Sequence, residues 1–449
     1  VTSRTALLRH PVAIAGAVLT TVSGTAFIVL VLALWSGLFP SPYSGLLVLV
    51  AVPAVFVLGL LLIPAGMWLE RRARRLSGVE RDWPIIDFRT PRTRQVSLAI
   101  LALTAVNLII VAIAAGGAVH VMETPTFCGQ TCHTPMEPQF TAWQDAPHSN
   151  VKCTDCHVGE GARALVRSKM AGTRQLYHVL TAQVPKPIPG VADMRPALET
   201  CGNCHWAGRH IGESVRQKRE YSDDEENSET ITTLKLMVGG PGQKTSSGRA
   251  IHWHADPDVR IEFVSTDEER QTIPYVRLVA KDGTVKEFKA EGTTEAQVAA
   301  GYRRVMDCID CHNTPAHRIA PTAEQAVDGA IAAGAVDRKL PFVRREAVRL
   351  VKADYPTKEQ GLDAIEKGLR DFYAGKAAVD KNDLAHAIGS VQNVYRRNVF
   401  PAMKVTFGVY PDNIGHITSN GCFRCHDDGH AASDGTSISG DCELCHTME

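Results

Sequence analysis

The sequence predicts a membrane-anchored fold class: three transmembrane helices carrying an exported domain that is mainly α and irregular, with a small antiparallel β insert. Three observations predict it. Residues 11–69 contain no Asp, Glu, Lys or Arg, a run too long for one span of about 20 apolar residues. All 12 Cys fall into six pairs, and the second Cys of every pair is followed directly by His. Aromatic residues are only 6% of the chain, few for a protein that packs ordinary cores. The 449 residues carry 48 basic and 48 acidic side chains, so the chain has no net basic field for nucleic acid. The split between an apolar start and a polar remainder argues against a purely soluble or a largely disordered protein.

The charge-free run is broken by Phe39-Pro40-Ser41-Pro42-Tyr43-Ser44-Gly45, which predicts a hairpin of helices near 12–36 and 45–68. A third apolar stretch runs from Val96 to Val119. The loop at 69–95 holds eight Arg (71, 72, 74, 75, 81, 89, 92 and 94) against four acids, and Arg4 and Arg9 precede the first span. The positive-inside rule places both basic segments in the cytoplasm, so the third span delivers residues 121–449 to the periplasm. The expected location is the inner membrane, N-terminus inside. The first span lacks the cleavage site and the flanks of a signal peptide. The hairpin reads either as a plain anchor or as a surface for quinone or partner subunits. The expected organisation is a hairpin at 1–68, a basic loop at 69–95 and a third span at 96–120. A four-motif domain at 121–320, with an insert at 206–305, and a helical extension at 321–449 with two further motifs complete it.

Five Cys pairs read C-x-x-C-H: Cys153/Cys156-His157, Cys201/Cys204-His205, Cys308/Cys311-His312, Cys422/Cys425-His426 and Cys442/Cys445-His446. The first is one residue longer, Cys128/Cys132-His133. This is c-type haem spacing: two thiols form thioethers to the porphyrin, and the adjacent His becomes the proximal iron ligand. Disulfides give no reason for the trailing His, zinc ribbons do not need it, and iron–sulfur ligation uses other spacings. Six haem c groups are expected, with a disulfide as the alternative at Cys128/Cys132. Covalent attachment removes the need for a large apolar pocket, so the core is expected to be haem-dominated.

Haems need sixth ligands, and His is the usual one. The candidates outside the motifs are His148, His178, His210, His252, His254, His317, His386, His416 and His430, with Met136 a further candidate for the first haem. Of these, His416 and His430 are expected to serve the C-terminal pair, with His210 and His386 in reserve. His252 and His254 point the same way if the segment is extended, so one is expected to bind a haem; zinc binding by both is the alternative. His120 ends the third span and suits a helix cap or a quinone site.

The segments Phe127–His133, Pro147-His148-Ser149, Cys153–Val158, Ser168-Lys169-Met170, Gln175–His178, Cys201–His205, Cys308–His312 and Ala316-His317 together resemble NapC/NirT-type membrane-anchored cytochromes. The likeness covers residues 96–205 and 306–320, about a quarter of the chain. It implies a quinol dehydrogenase that passes electrons from the membrane quinone pool to periplasmic or outer-membrane c-type cytochromes. It also implies that Met136 serves the first haem, that His148, His178 and His317 are distal ligands, and that Lys169 lies near the quinol. Gln175 stands close to where the family places an acidic partner. Three spans, the insert and two additional motifs are departures that resemble an expanded branch, the inner-membrane multihaem cytochromes of extracellular respiration. A relay subunit of a larger membrane complex and a terminal reductase with an open haem are the competing functions.

In the insert, Asp223-Asp224-Glu225-Glu226 and Gly239-Gly240-Pro241-Gly242 read as a solvated, flexible link. Strands are expected at 260–264, 275–280 and 285–288, with Asp282-Gly283 as a type I′ turn. Residues 322–398 read as helices, in which Leu362, Ile365, Leu369 and Phe372 form one apolar face suited to a core rather than to a haem.

Overall fold

The computed structural model describes residues 10–35, 48, 51–76, 89–131, 133–190, 194–205, 212–239, 244–245, 248–376 and 379–448. Arg4, Arg9, the expected interhelix turn at 39–45, Arg81, Cys132, His210 and Gly240-Pro241-Gly242 lie outside these residues. The chain divides into two compact units, Val1–Thr131 and Cys132–Glu449.

The first unit contains α1 (Pro11–Trp35), α2 (Val52–Leu76) and α3 (Pro91–Met122). Small residues let α1 and α2 approach closely. A Cβ on Gly59 would lie 2.5 Å from Thr20 Oγ1, and one on Gly66 would lie 2.3 Å from the Ala13 nitrogen. Among the described residues two helical stretches, Pro11–Leu30 and Val52–Ala73, are long and apolar enough to cross a membrane, rather than the three expected. The stretch expected as the third lies within α3, part of whose side chains fall outside the described set. The basic loop is also shorter than expected. Helix α2 continues through Glu70-Arg71-Arg72-Ala73-Arg74-Arg75, because these residues favour helix once a helix is running, and Arg72 covers the Trp68 ring.

The second unit opens with α4 (His133–Gln144) and α5 (Ala162–Leu180). Where one small element was expected, the insert holds two larger antiparallel sheets and a short two-stranded ladder of Lys244–Thr245 with Gly248–Arg249. Strands β1 (Ser214–Tyr221) and β2 (Glu229–Leu236) form a hairpin, and β7 (His446–Met448), near the C-terminus, adds to β2 with Leu236 opposite His446. The second sheet is made of β3 (Arg260–Ser265), β4 (Tyr275–Val279), β5 (Val285–Lys289) and β6 (Tyr302–Val305), in the order β5-β4-β3-β6. Its core is set by register: Phe263 pairs with Val276, which pairs with Phe288, and all three are buried.

The acidic run is not a flexible link. It is the tight turn of the β1–β2 hairpin, where Asp224 Oδ1 accepts from the Ser228 nitrogen at 2.8 Å. The neighbouring Asn227 is fully buried, donates to the carbonyls of Arg338 and Leu340, and accepts from the Arg344 nitrogen. The Asp282-Gly283 hairpin forms, but only Gly283 has positive φ (+82°) and its N–H donates to the Ala280 carbonyl. That is a three-residue loop with a type I turn rather than a type I′ turn.

Residues 323–398 fold into α6 (Ala323–Ala332), α7 (Val343–Lys352), α8 (Lys358–Tyr373) and α9 (Lys381–Asn398). Thr322, Thr357 and Asp380 cap α6, α8 and α9 through their side chains. Ile365 and Leu369 are fully buried, and Leu362 and Phe372 pack beside them against Val343, Leu350, Val391 and Tyr395. This part has the conventional apolar core that the stripe of Leu362, Ile365, Leu369 and Phe372 predicts.

Candidate functional site

The motifs are one-turn helices. Cys153–His157 and Cys308–Cys311 are α-helical, and Cys201–Asn203, Gly421–Arg424 and Cys442–Leu444 are 3-10 turns. Either geometry places cysteines three residues apart on one side. The motif histidine then folds back: the nitrogens of His205, His312 and His426 donate to the carbonyls of Cys201, Cys308 and Cys422 at 2.7, 2.7 and 3.0 Å. The longer first motif winds as a π-turn, Phe127–Thr131. None of the eleven described cysteines is in a disulfide.

The motif cysteines are not uniformly enclosed by protein. Cys204 is exposed, as are Cys422 and Cys442, whereas its motif partner Cys201 is half-buried. The difference has a structural cause. Cys425 packs against the apolar core of the β3–β6 sheet. Cys204 instead closes a 3-10 turn that continues the short helix Ala197–Thr200, its nitrogen donating to the Cys201 carbonyl at 3.1 Å. Its spacing and turn geometry still match those of a thioether cysteine.

In the second to sixth motifs, each motif histidine faces a histidine from elsewhere in the chain. The ring centroids are 6.1 Å apart for His157 and His317, 5.9 Å for His205 and His148, 6.3 Å for His312 and His252, 5.8 Å for His426 and His254, and 6.0 Å for His446 and His416. Two imidazoles on opposite sides of one metal ion, with metal–nitrogen bonds of about 2 Å, have ring centroids about 6 Å apart. The donor set therefore fits iron held between paired imidazoles.

Hydrogen bonds orient the incoming rings. The Nδ1 atoms of His148, His252, His254 and His317 lie 3.2, 3.1, 2.7 and 3.0 Å from the carbonyls of Pro315, Val238, Ile251 and Gln139. A carbonyl at Nδ1 places the proton there and leaves Nε2 to bind a metal. Burial lowers the pKa of His157, and His317 lowers it further; burial likewise lowers His317 and His254. Each is thereby kept in the neutral form that ligation requires.

His430 is different, and the expectation that it is a ligand is corrected. Its Nδ1 lies 2.8 Å from Asp427 Oδ1 and its Nε2 lies 2.7 Å from the Ile273 carbonyl, so both ring nitrogens are engaged. His252 and His254 do not share a partner: their rings face those of His312 and His426 respectively. His178 makes no ring pair with a described motif histidine, although its Nδ1 is buried without a hydrogen-bond partner. Met136 lies on α4, one turn after His133, whose side chain is outside the described set. Lys169 is half-buried on α5 and Gln175 is exposed on the same helix. Six residues apart, they project about 120° from each other, so they do not share a face. His386 is exposed on α9.

The second to sixth motifs neighbour one another in chain order. Burial is the main cause that raises the thiols of Cys156, Cys308, Cys311, Cys425 and Cys445. A cysteine of an adjacent motif adds to each: Cys201 acts on Cys156 and Cys308, Cys422 acts on Cys311 and Cys445, and Cys311 acts on Cys425.

A buried polar cluster that the sequence did not reveal joins the fourth and fifth motifs. Asp310, inside Cys308-Ile-Asp-Cys-His312, is 1% exposed and pairs with Arg304 at 2.8 Å and Arg270 at 3.2 Å. Arg424, inside Cys422-Phe-Arg-Cys-His426, donates to the Asp310 and Arg270 carbonyls, both at 2.8 Å. The available signal was a charged residue within each attachment loop.

Thioether-spaced cysteines, proximal histidines and facing histidines define a multihaem c-type cytochrome, mostly helical and with small antiparallel sheets. The N-terminal region of the NapC/NirT cytochrome c family matches residues 90–187. Cytochrome c-type protein ImcH of Geobacter sulfurreducens is 38% identical over 416 residues, which cover 91% of this chain and 81% of that protein. The chain belongs to the NapC/NirT cytochrome c family, and haem c is its expected cofactor. No solved structure matches it.

Proposed function

We propose that this protein oxidises quinol at the membrane and conducts the electrons through six haems to periplasmic or outer-membrane cytochromes. The observation that carries the reading is the set of five facing histidine pairs, adjacent in chain order. Haem, when bound, would supply a one-electron relay, and the facing histidine pairs would hold its iron. His148, His252, His254, His317 and His416 are the distal ligands in this reading. The first haem takes Cys128, Cys132 and His133, with Met136 or His178 opposite.

The spans α1 and α2 anchor the chain in the inner membrane. The chemistry at the membrane end removes two electrons and two protons from quinol. In this reading Lys169 orients its oxygen, and Gln175, which cannot accept a proton, leaves that task to water or to a second group. Helix α5 supports a membrane-facing role: it contains no acid, and Val166, Met170, Tyr177 and Leu180 are exposed along one face.

The test is optical. The detergent-purified chain is assayed for haem by pyridine haemochrome and then mixed with a menaquinol analogue. Six haems reduced rapidly, with the reaction blocked by a quinone-site inhibitor, support the reading. Haems that dithionite reduces and quinol does not would move the quinone site to a partner subunit. Met136→Leu should alter the spectrum of one haem only and slow quinol oxidation at least tenfold; an unchanged spectrum and rate would remove Met136 from the site.

A further inference from the structure

Residues 313–421, between the fourth and fifth motifs, contain no Cys. The four-motif part characteristic of the family thus ends at His312, and the C-terminal pair begins more than 100 residues later. A conduit needs these two parts side by side.

The turn Ile251–Ala255 is 3-10 helical rather than extended. With three residues per turn, side chains two apart diverge by about 120°, whereas in a strand they would be parallel. His252 therefore reaches His312, with rings 6.3 Å apart and 4° from parallel, while His254 reaches His426, at 5.8 Å and 76°. The turn is pinned at its start, where the nitrogens of Ile251 and His252 donate to the carbonyls of Met237 and Val238. Between the two histidines, Trp253 packs into the core of the β3–β6 sheet. On the opposite side of both sites, Arg424 ties one attachment loop to the Asp310 carbonyl of the other, and the Asn413 amide donates to the same carbonyl. The two sites are thus joined twice, once through the motif loops and once through the facing histidines.

We infer that the Ile251–Ala255 turn is the joint of the conduit, giving His252 to the haem on Cys308/Cys311 and His254 to the haem on Cys422/Cys425, so that electrons cross here from the four-motif part to the C-terminal pair. The inference rests on the reading of the facing pairs as axial ligands. One electron leaves one site as one arrives at the other, and no bond is made or broken at either histidine.

The experiment uses the full-length protein in detergent with His252→Met, His254→Met and the double variant. Haem is counted by pyridine haemochrome, and ligation is read by near-infrared magnetic circular dichroism. Each single variant should keep all its haems and convert one from bis-histidine to histidine–methionine, about one-fifth of the bis-histidine signal, and the double variant about two-fifths. Glycine variants give the same information if methionine does not reach the iron. His254→Gly should show one high-spin haem that added imidazole returns to low spin, and quinol reduction of two haems should slow at least tenfold. Single and double variants that all lose the same one signal, or a His254→Gly protein that stays fully low-spin without imidazole, would overturn the joint. Fewer than five bis-histidine signals in the unmodified protein would instead overturn the functional reading beneath it.

Discussion

His430 and His254 differ in what surrounds their rings. His254 has a carbonyl at Nδ1 and a motif imidazole across from its ring; His430 has a carboxylate at Nδ1 and a carbonyl at Nε2. Replacing His430 by Leu should therefore leave the haem spectrum unchanged. It should lower the stability of the β3–β6 sheet by about 1–3 kcal/mol, because the buried Ile273 carbonyl loses its partner; denaturant titration followed by circular dichroism measures this. Close packing makes a second prediction. A Cβ on Gly361 would lie 2.4 Å from the Tyr395 hydroxyl, so Gly361→Ala should cost about 1–3 kcal/mol by overpacking. The Tyr395 hydroxyl is buried without a hydrogen-bond partner, so Tyr395→Phe should be nearly neutral alone and should relieve the Gly361→Ala strain. At this scale the motif cysteines and proximal histidines were legible, because their chemistry needs only residues adjacent in sequence. Their partners were not: His157 meets His317 and His312 meets His252 across segments that only folding brings together.

Among the elements, the α6–α9 bundle is a conventional domain, with consequences at high pH. Burial raises the pKa of Tyr395 to about 12 and also raises that of Tyr373. Both ionise near pH 10 in the unfolded chain. The folded form therefore holds protons that the unfolded form releases, and stability, fully present below about pH 10, is lost as pH rises toward the folded values. Thermal melts at 222 nm should show a falling midpoint between about pH 10 and 12, flattened by Tyr373→Phe and Tyr395→Phe. The helical periodicity of Leu362, Ile365, Leu369 and Phe372 gave this bundle away, since an apolar stripe is a local pattern. The β1–β2 hairpin escaped the same reading because its strands are charged and partly exposed, and its acidic turn looked like a solvated link. Asn227 holds that turn through contacts more than 100 residues away.

Over the whole molecule, adjacency in chain order makes position along the conduit testable. His416→Gly affects the last site, so the other haems should be reduced by quinol at the wild-type rate. His148→Gly affects the third motif and should slow by at least tenfold the reduction of the haems beyond it. Stopped-flow absorbance of both variants decides; equal behaviour would mean that the sites do not act in series.

The sequence by itself determined the expected chemistry: an apolar anchor, because a charge-free run this long favours a membrane, and haem c, because Cys-x-x-Cys-His is the spacing for attachment and proximal ligation within a few consecutive residues. Only the tertiary structure decided which histidine faces which motif and how the two groups of motifs join. The choice between His254 and His430, and the divergent aims of His252 and His254, depend on the carbonyls and the carboxylate that folding sets beside each ring and on a 3-10 turn where an extended segment was expected. A ring nitrogen's availability is set by what folding places beside it, and residue type and spacing do not encode that.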